Sequence, residues 1–420
     1  MAEHAPSYVI DGLEPREVAR PGSPEEVAAV LKRAAAEGMA VIPWGAGTKQ
    51  GFGNRPRAYD LALDLTGLDA LLEYEPADLV VTAQAGIPLR VLQQRLAEAG
   101  QFLALDPPYA AAATLGGTLA TNVSGPSRLL YGTGRDLVLG MRVATTDGEV
   151  VKSGGKVVKN VVGYDLHKMH IGGLGTLGVI VEVTLKVHPL PKAQATVGAT
   201  FASPDAAQEA SGRLFRSALY PRAVELARAT LPGREGDPTS GAWRVLMWAA
   251  GSPATVARQA RNAAQWLAEA GAGDVATLEG EAHERLWQAV REFGRGPRAA
   301  PAQHTLVKLT CLPSDVTRLV GAIDAATAAA AVPSAEVVAH AGSGVVYALL
   351  PQATADLLRA LARIAAEHGG AAVVEEAPWE VKAEIDVWGP TRDDFPLMQA
   401  LKAQFDPQGI LNPGRFVGGI

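Results

Sequence analysis

The segment Gly172–Gly178, GGLGTLG, holds the residues best suited to binding chemistry in this 420-residue chain. Gly173, Gly175 and Gly178 satisfy the spacing GxGxxG, which carries a nicotinamide dinucleotide only where it follows a strand and opens a helix. Here it leads into Val179–Val187, a β-branched and nearly alternating run that reads as a strand. A Rossmann site is therefore excluded. The glycines serve a backbone that lies close against something flat or phosphorylated, without a helix dipole to help.

Two further loops have the same character. Gly45-Ala46-Gly47-Thr48-Lys49-Gln50-Gly51-Phe52-Gly53 places four glycines in nine residues, more than a turn needs, directly after the apolar strand Ala40–Trp44. Such a loop turns successive amide N–H groups toward an anion and lets it approach the backbone. Ala110–Gly125, AAAATLGGTLATNVSG, carries no charge and consists largely of small and hydroxyl side chains. It can wrap a ligand closely while its polar groups hydrogen-bond it, and Gly116–Thr121 within it reads as a small-residue helix. Gly154-Gly155-Lys156 lacks the rest of a phosphate-binding P-loop, with Val150 at the leading glycine position and Val157 at the hydroxyl position. Three glycine-rich loops at the ends of regular elements point together to a long, flat, diphosphate-bearing ligand.

Other candidates are weaker. His167 and His170 lie three residues apart with no third ligand nearby and read as structural. Lys152, Lys156, Lys159 and Lys168 could offset a diphosphate or an anionic substrate, but solvated surface lysines are the plainer reading. Arg135-Asp136 reads as an ion pair or a cap.

The elements that must position these loops alternate helix and strand. Ser23, Pro24 and Glu26 form a helix start, and Gly38 stops that helix. Strands follow at Tyr59–Leu65 and Leu79–Ala85, a helix between Pro88 and Gly100, and a strand at Val138–Thr145 turning through Asp147-Gly148 into Glu149–Lys152. Composition is that of an ordinary soluble protein, 48% hydrophobic and 20% charged. A net charge of -6 gives no case for nucleic acid or anionic membrane. No signal peptide or membrane span is read, so the expected location is cytoplasmic, with any membrane association through partner subunits. The lone Cys311 rules out a disulfide framework and an iron–sulfur cluster ligated by this chain alone.

In this order the loops resemble the flavin-binding domain of the vanillyl-alcohol oxidase/PCMH family of FAD enzymes. SPEEVAAVLKRAAAEGMAVIPWGAGT is similar to that family's opening helix and pyrophosphate loop, and ATLGGTLATNVSG with YGTGRDLVLG to its second flavin-contacting segment. KNVVGYDLHKMHIGGLGTLGVI and the terminal FDPQGILNPGRF resemble the 2-hydroxyacid branch, which includes D-lactate dehydrogenases and glycolate oxidase flavin subunits. The resemblance implies an α+β fold: a PCMH-type FAD-binding domain of two α+β subdomains over 1–191, a ferredoxin-like α+β cap over 192–394, and a segment 395–420 returning to the FAD domain. It implies that Pro43, Trp44, Gly45, Ala46, Gly47 and Thr48 hold the FAD pyrophosphate. Leu115, Gly116, Gly117, Thr121, Asn122, Ser124 and Gly125 would line the ribityl and diphosphate region. Gly175, Thr176 and Gly178 would pass beneath the cofactor, Ile180 would read the adenine through its backbone, and Pro107 and Asn412 would lie near the isoalloxazine. With Thr48 and Lys49 where covalent relatives carry histidine, and no cysteine in the second segment, the FAD is expected to be non-covalent. The resemblance names no catalytic base.

The cap reads as strands separated by helices: Trp243–Trp248, helix Pro253–Ala270, Thr305–Leu312, helix Ser314–Ala330, the pair Glu336–His340 and Gly344–Leu350, helix Thr354–Glu367 and strand Ala371–Glu376. Relatives that oxidise 2-hydroxyacids carry a metal site there, in H-x-G-D-G-N-x-H and a later E-H-G. This chain has Ser343 for the acid and Tyr347 for the second histidine of the first motif, and Glu375-Glu376-Ala377-Pro378 for the second. The literal Glu367-His368-Gly369 ends the preceding helix. No metal site is expected, and His340 reads as a strand residue. Trp379 and Trp388 fill the vacated space or form an interface. The resemblance then implies the shorter, E-type flavin subunit of a glycolate oxidase complex. Its partners would be a second FAD subunit and an iron–sulfur subunit, with a small 2-hydroxyacid as substrate. A self-sufficient FAD dehydrogenase or oxidase and a flavin-bearing assembly subunit without turnover are the rival readings.

Overall fold

In the computed structural model, which describes residues 8–156, 163–232, 242–295 and 304–420, the first helix spans Pro24–Glu37. Ser23 Oγ accepts from the Glu26 amide, Pro24 opens the first turn, and Gly38 ends the helix in the left-handed region at φ 65°. Its buried face, Val27, Leu31 and Ala34, packs against two sheets. One is a three-stranded parallel sheet of Glu17–Ala19, Leu61–Asp64 and Val41–Trp44. The other is five-stranded and antiparallel, ordered Leu71–Glu75, Val80–Gln84, Val179–Lys186, Val138–Ala144, Val150–Gly154.

Strand Val179–Lys186, the one that follows the glycines, is central to the second sheet. Arg142 pairs with Glu182 and Val143 with Ile180, so Val181 is an extra residue that makes a bulge. The bulge divides the strand between two cores. Val179 and Val181 join the first helix, while Ile180, Val183 and Leu185 join helices Leu89–Ala97 and Leu115–Thr121.

The cap is one eight-stranded antiparallel sheet ordered Gly273–Leu278, Ala193–Phe201, Trp243–Gly251, Ala223–Arg228, Glu336–His340, Val345–Leu350, Thr305–Thr310, Ala372–Glu376. In chain order it is two βαββαβ units, each with strand order 4-1-3-2, joined edge to edge where Ala223–Arg228 pairs with Glu336–His340. Helices Pro204–Phe215, Pro253–Glu269, Val316–Ala329 and Ala355–Glu367 cover one face. The other face carries helix Gly280–Arg291 and turns toward the glycine loops. Helix Phe395–Phe405 leads back from the cap: the Val41 amide donates to Ile410 O at 2.8 Å and the Asn412 amide to Val41 O at 2.9 Å. No helix among the described residues is long and apolar enough to cross a membrane.

The two bodies are held together by a buried arginine. Arg222 of the cap lies over the Trp248 ring at 4.0 Å and near Phe102 and Tyr131 of the first body, at 5.1 and 5.6 Å. It donates to Ser127 Oγ at 2.8 Å and Gln194 Oε1 at 3.1 Å. Burial pulls its pKa down, so the aromatic faces and hydrogen bonds must offset the lost hydration. Arg222→Ala is expected to cost about 3 kcal/mol through lost cation–π contacts and charged hydrogen bonds. Urea denaturation monitored by tryptophan fluorescence would show it as a lowered midpoint.

Candidate functional site

The ends of the glycine loops meet in one cleft. Of the residues expected at a cofactor, Pro43, Trp44, Gly45, Ala46, Gly47, Thr48, Gly116, Gly117, Thr121, Gly175, Ile180 and Asn412 line it. The walls come this close because they lack side chains. A Cβ on Gly116 would lie 2.8 Å from the Ala85 Cβ, and one on Gly45 would overlap the Thr114 hydroxyl. Gly175, at φ 70°, faces Pro43 and the Asn412 side chain.

Seven of the expected residues do not line the cleft. Leu115 is fully buried in the core under the five-stranded sheet. Thr176 is buried, and its hydroxyl donates to Gly173 O at 2.7 Å. Gly178 packs on Val143, where a Cβ would lie 2.6 Å from Cγ1, and Gly125 packs against Asp106. Pro107 is buried. Asn122 caps its helix in the left-handed region, and Ser124 follows it. Asn122 Oδ1 and Ser124 Oγ are buried and have no hydrogen-bond partner among the described residues.

The cleft adds residues beyond the expected set: Lys49, Gln50, Leu65, Ala85, Thr114, Ala120, Leu174, Val179 and Arg415. Among the described residues its charged lining is Lys49 and Arg415, with no Asp or Glu. Arg415 is 4% exposed and donates to Gln50 Oε1 at 2.7 Å, Gln50 O at 2.6 Å and Phe52 O at 2.7 Å. Its Nε has no acceptor, and burial brings its pKa down to about 10. Trp388 Nε1 donates to Arg415 O at 3.0 Å, and its ring meets Phe52 and Phe416 edge-on, so this tryptophan fastens the cap to the loop. Trp379 is partly exposed under Arg55. A backbone-lined, cationic cleft without carboxylates fits an anionic ligand of diphosphate type.

The remaining candidates have structural partners. His167 Nδ1 lies 3.3 Å from Ser153 Oγ, and His170 packs against Phe405. Lys156 pairs with Glu73 and Lys168 with Asp165, Lys152 is exposed, and Lys159 lies outside the described residues. Asp136 caps the turn at Thr133 and is not paired with Arg135, which donates to Lys168 O. His340 sits in the cap sheet with Nδ1 2.8 Å from Glu225 Oε2. Burial lowers the His340 pKa to about 3 and raises that of Glu225 well above the carboxylate range, so the pair is held without net charge. Tyr347 meets the His340 ring edge-on, and His368 bonds Asp315 at the end of its helix. Among the described residues no group of three or more His, Cys, Asp or Glu side chains is placed to hold a metal ion.

Comparison with known proteins identifies the cofactor. The FAD binding domain family matches residues 15–154, and the family described as FAD linked oxidases, C-terminal domain, matches residues 190–416. The chain belongs to the FAD-linked oxidases. It is an FAD-dependent oxidoreductase of the PCMH type, and FAD is its cofactor. The glycolate oxidase subunit GlcD of Bacillus subtilis is 29% identical over 420 residues, covering 96% of this chain and 88% of that protein. The glycolate oxidase subunit GlcE of Escherichia coli is 43% identical over 132 residues, covering 31% of this chain and 38% of that protein. A solved alkyldihydroxyacetonephosphate synthase shares the fold with a TM-score of 0.71, covering 95% of this chain and 77% of that one at 19% identity.

Arg415→Met is expected to weaken FAD binding about thirtyfold, the ~2 kcal/mol of a lost charge-assisted hydrogen bond. Titration of the apoprotein with FAD measures it, and the apoprotein melting temperature separates this loss from loosening of the Gln50–Phe52 loop.

Proposed function

We propose that this chain is the E-type flavin subunit of a glycolate oxidase-like assembly, with FAD held non-covalently in the cleft. Held there, FAD would supply the redox chemistry of the assembly, in which a 2-hydroxyacid loses a hydride from its alcohol carbon and a proton from its hydroxyl to become a 2-oxoacid. In this reading the backbone of Gly45–Thr48 holds the diphosphate, opposite Gly116, Gly117 and Thr121. Arg415 supplies buried positive charge, the Ile180 backbone meets the adenine, and Asn412 stands toward the flavin ring. The lining includes no histidine or cysteine to which a flavin could be bonded. A second flavin subunit and an iron–sulfur subunit take the electrons.

The observation that carries the subunit role is the state of the cap. His340 is engaged by Glu225, and Tyr347 stands across the ring from it, so the face toward the cleft offers no histidine pair. The stretch 43% identical to GlcE supports the same role. Anaerobic addition of glycolate to the isolated FAD-loaded chain is expected to leave the flavin absorbance unchanged. The chain assembled with its partner subunits is expected to bleach. Bleaching of the isolated chain by glycolate or D-lactate would favour a self-sufficient dehydrogenase and overturn the subunit role.

A further inference from the structure

Where the first glycine loop meets the cap, two cations hold one carboxylate and a third stands on the adjoining strand. Arg295 Nη2 lies 2.7 Å and Lys49 Nζ 3.3 Å from the same oxygen, Glu375 Oε2. The side chains of Arg295 and Glu375 are each 2% exposed. Lys308 stands on the strand that pairs with that of Glu375, directly across from Tyr347 in register, and the Arg295 guanidinium lies 5.2 Å from the Tyr347 ring. Lys308 makes no hydrogen bond or ion pair within 4.0 Å to a described residue. The Arg295 Nε is buried and has no acceptor among the described residues.

Glu375 reaches this position through a backbone irregularity. Val307 pairs with Val374 and Leu306 with Glu376, so Glu375 is the extra residue of a bulge. Two consecutive glutamates consequently both serve the junction: Glu375 meets Lys49, and Glu376 accepts from the Tyr109 hydroxyl at 3.3 Å. Burial alone would raise the Glu375 pKa, but Lys49, Arg295 and Lys308 outweigh it and hold it at about 2. Glu376 is pushed the other way by burial. Three cationic side chains here stand against two glutamates, and Lys49 also lines the cofactor cleft.

We propose that Lys49, Arg295 and Lys308 form a seat for one small carboxylate at the edge of the cleft, and that Glu375 fills it from within. An outside 2-hydroxyacid enters only when that side chain is displaced or removed. The naming of 2-hydroxyacids as the competing class rests on the function proposed above, whereas the seat itself rests on the geometry. An internal ion pair that merely pins loop to cap would show no taste for a free carboxylate once Glu375 is gone.

The test is chemical rescue of Glu375→Ala in the full FAD-loaded chain, read as melting temperature against sodium formate at constant ionic strength. The variant is expected to melt below the wild type, and formate is expected to restore most of the loss in a saturable way. Equal chloride should not do so, and the wild type should not respond. Adding Lys308→Met should weaken the formate effect at least tenfold, and glycolate should replace formate. Glu375→Ser carries the same test where the alanine variant is not recovered. Formate without effect on either variant, or failure of both to fold even with formate present, would refute the seat. No turnover is measured, so rescue without reduction of the assembled protein by glycolate would refute the subunit role and keep the seat.

Discussion

A cleft that binds through its backbone must leave that backbone bare on one side and hold it rigidly from the other. The rest of this structure follows from that constraint. The loops around the cleft approach so closely that ordinary side chains would collide, as at Gly116 against Ala85. Bare loops lose more conformational freedom on folding than others do, so each is clamped from behind. Arg415 holds the carbonyls of Gln50 and Phe52. Lys402 holds Thr176 O and Leu411 O at 3.0 and 2.9 Å while paired with Asp406. The Asn412 side chain holds Leu174 O. The last residues of the chain are thus the rear wall of a site whose front is built near its beginning.

The same clamps give the site its electrostatic character. Arg415 is a buried cation that donates to neutral oxygens, and Lys49 faces both the cleft and the cap. Buried cations short of carboxylate partners are costly unless a ligand supplies the charge. In the proposed site the FAD diphosphate would do this in the cleft, and Glu375 does it at the junction. One loop, Gly45–Gly53, thus faces both the proposed cofactor site and the cap. Lys382, which pairs with Asp11 and donates to Gly51 O at 3.0 Å, adds a further tie from the cap to that loop.

Local signals carried much of this fold. Ser23, Pro24 and Gly38 mark the first helix to within a residue at each end, and the β-branched run after Gly178 is the strand that rules out a nicotinamide fold. The second ferredoxin-like unit of the cap is legible from the strand–helix alternation, while of the first only strand Trp243–Gly251 and helix Pro253–Glu269 are. Strand Gly273–Leu278 is not, because it is a largely exposed edge strand without alternation. Helix Gly280–Arg291 has its period in His283, Leu286, Trp287 and Val290 but no side-chain cap to announce it. In the site, glycine loops are visible in sequence because glycine is conspicuous. Lys49 and Arg415 adjoin residues singled out from the sequence, yet their burial depends on partners far along the chain. The Glu375 bulge depends on register with a neighbouring strand, which no local pattern encodes. Leu115, Thr176 and Gly178 sit in the right segments but turn into the core, since a segment that contacts a ligand does so with only some of its residues.

The central claim is that these loops form a non-covalent FAD site. It is tested most directly by the absorbance spectrum of the purified chain after incubation with FAD, taken before and after acid precipitation. The predicted result is a flavin spectrum corresponding to one FAD per chain, all of it released to the supernatant by acid. A chain that takes up no FAD, or whose flavin stays with the precipitate, would contradict it.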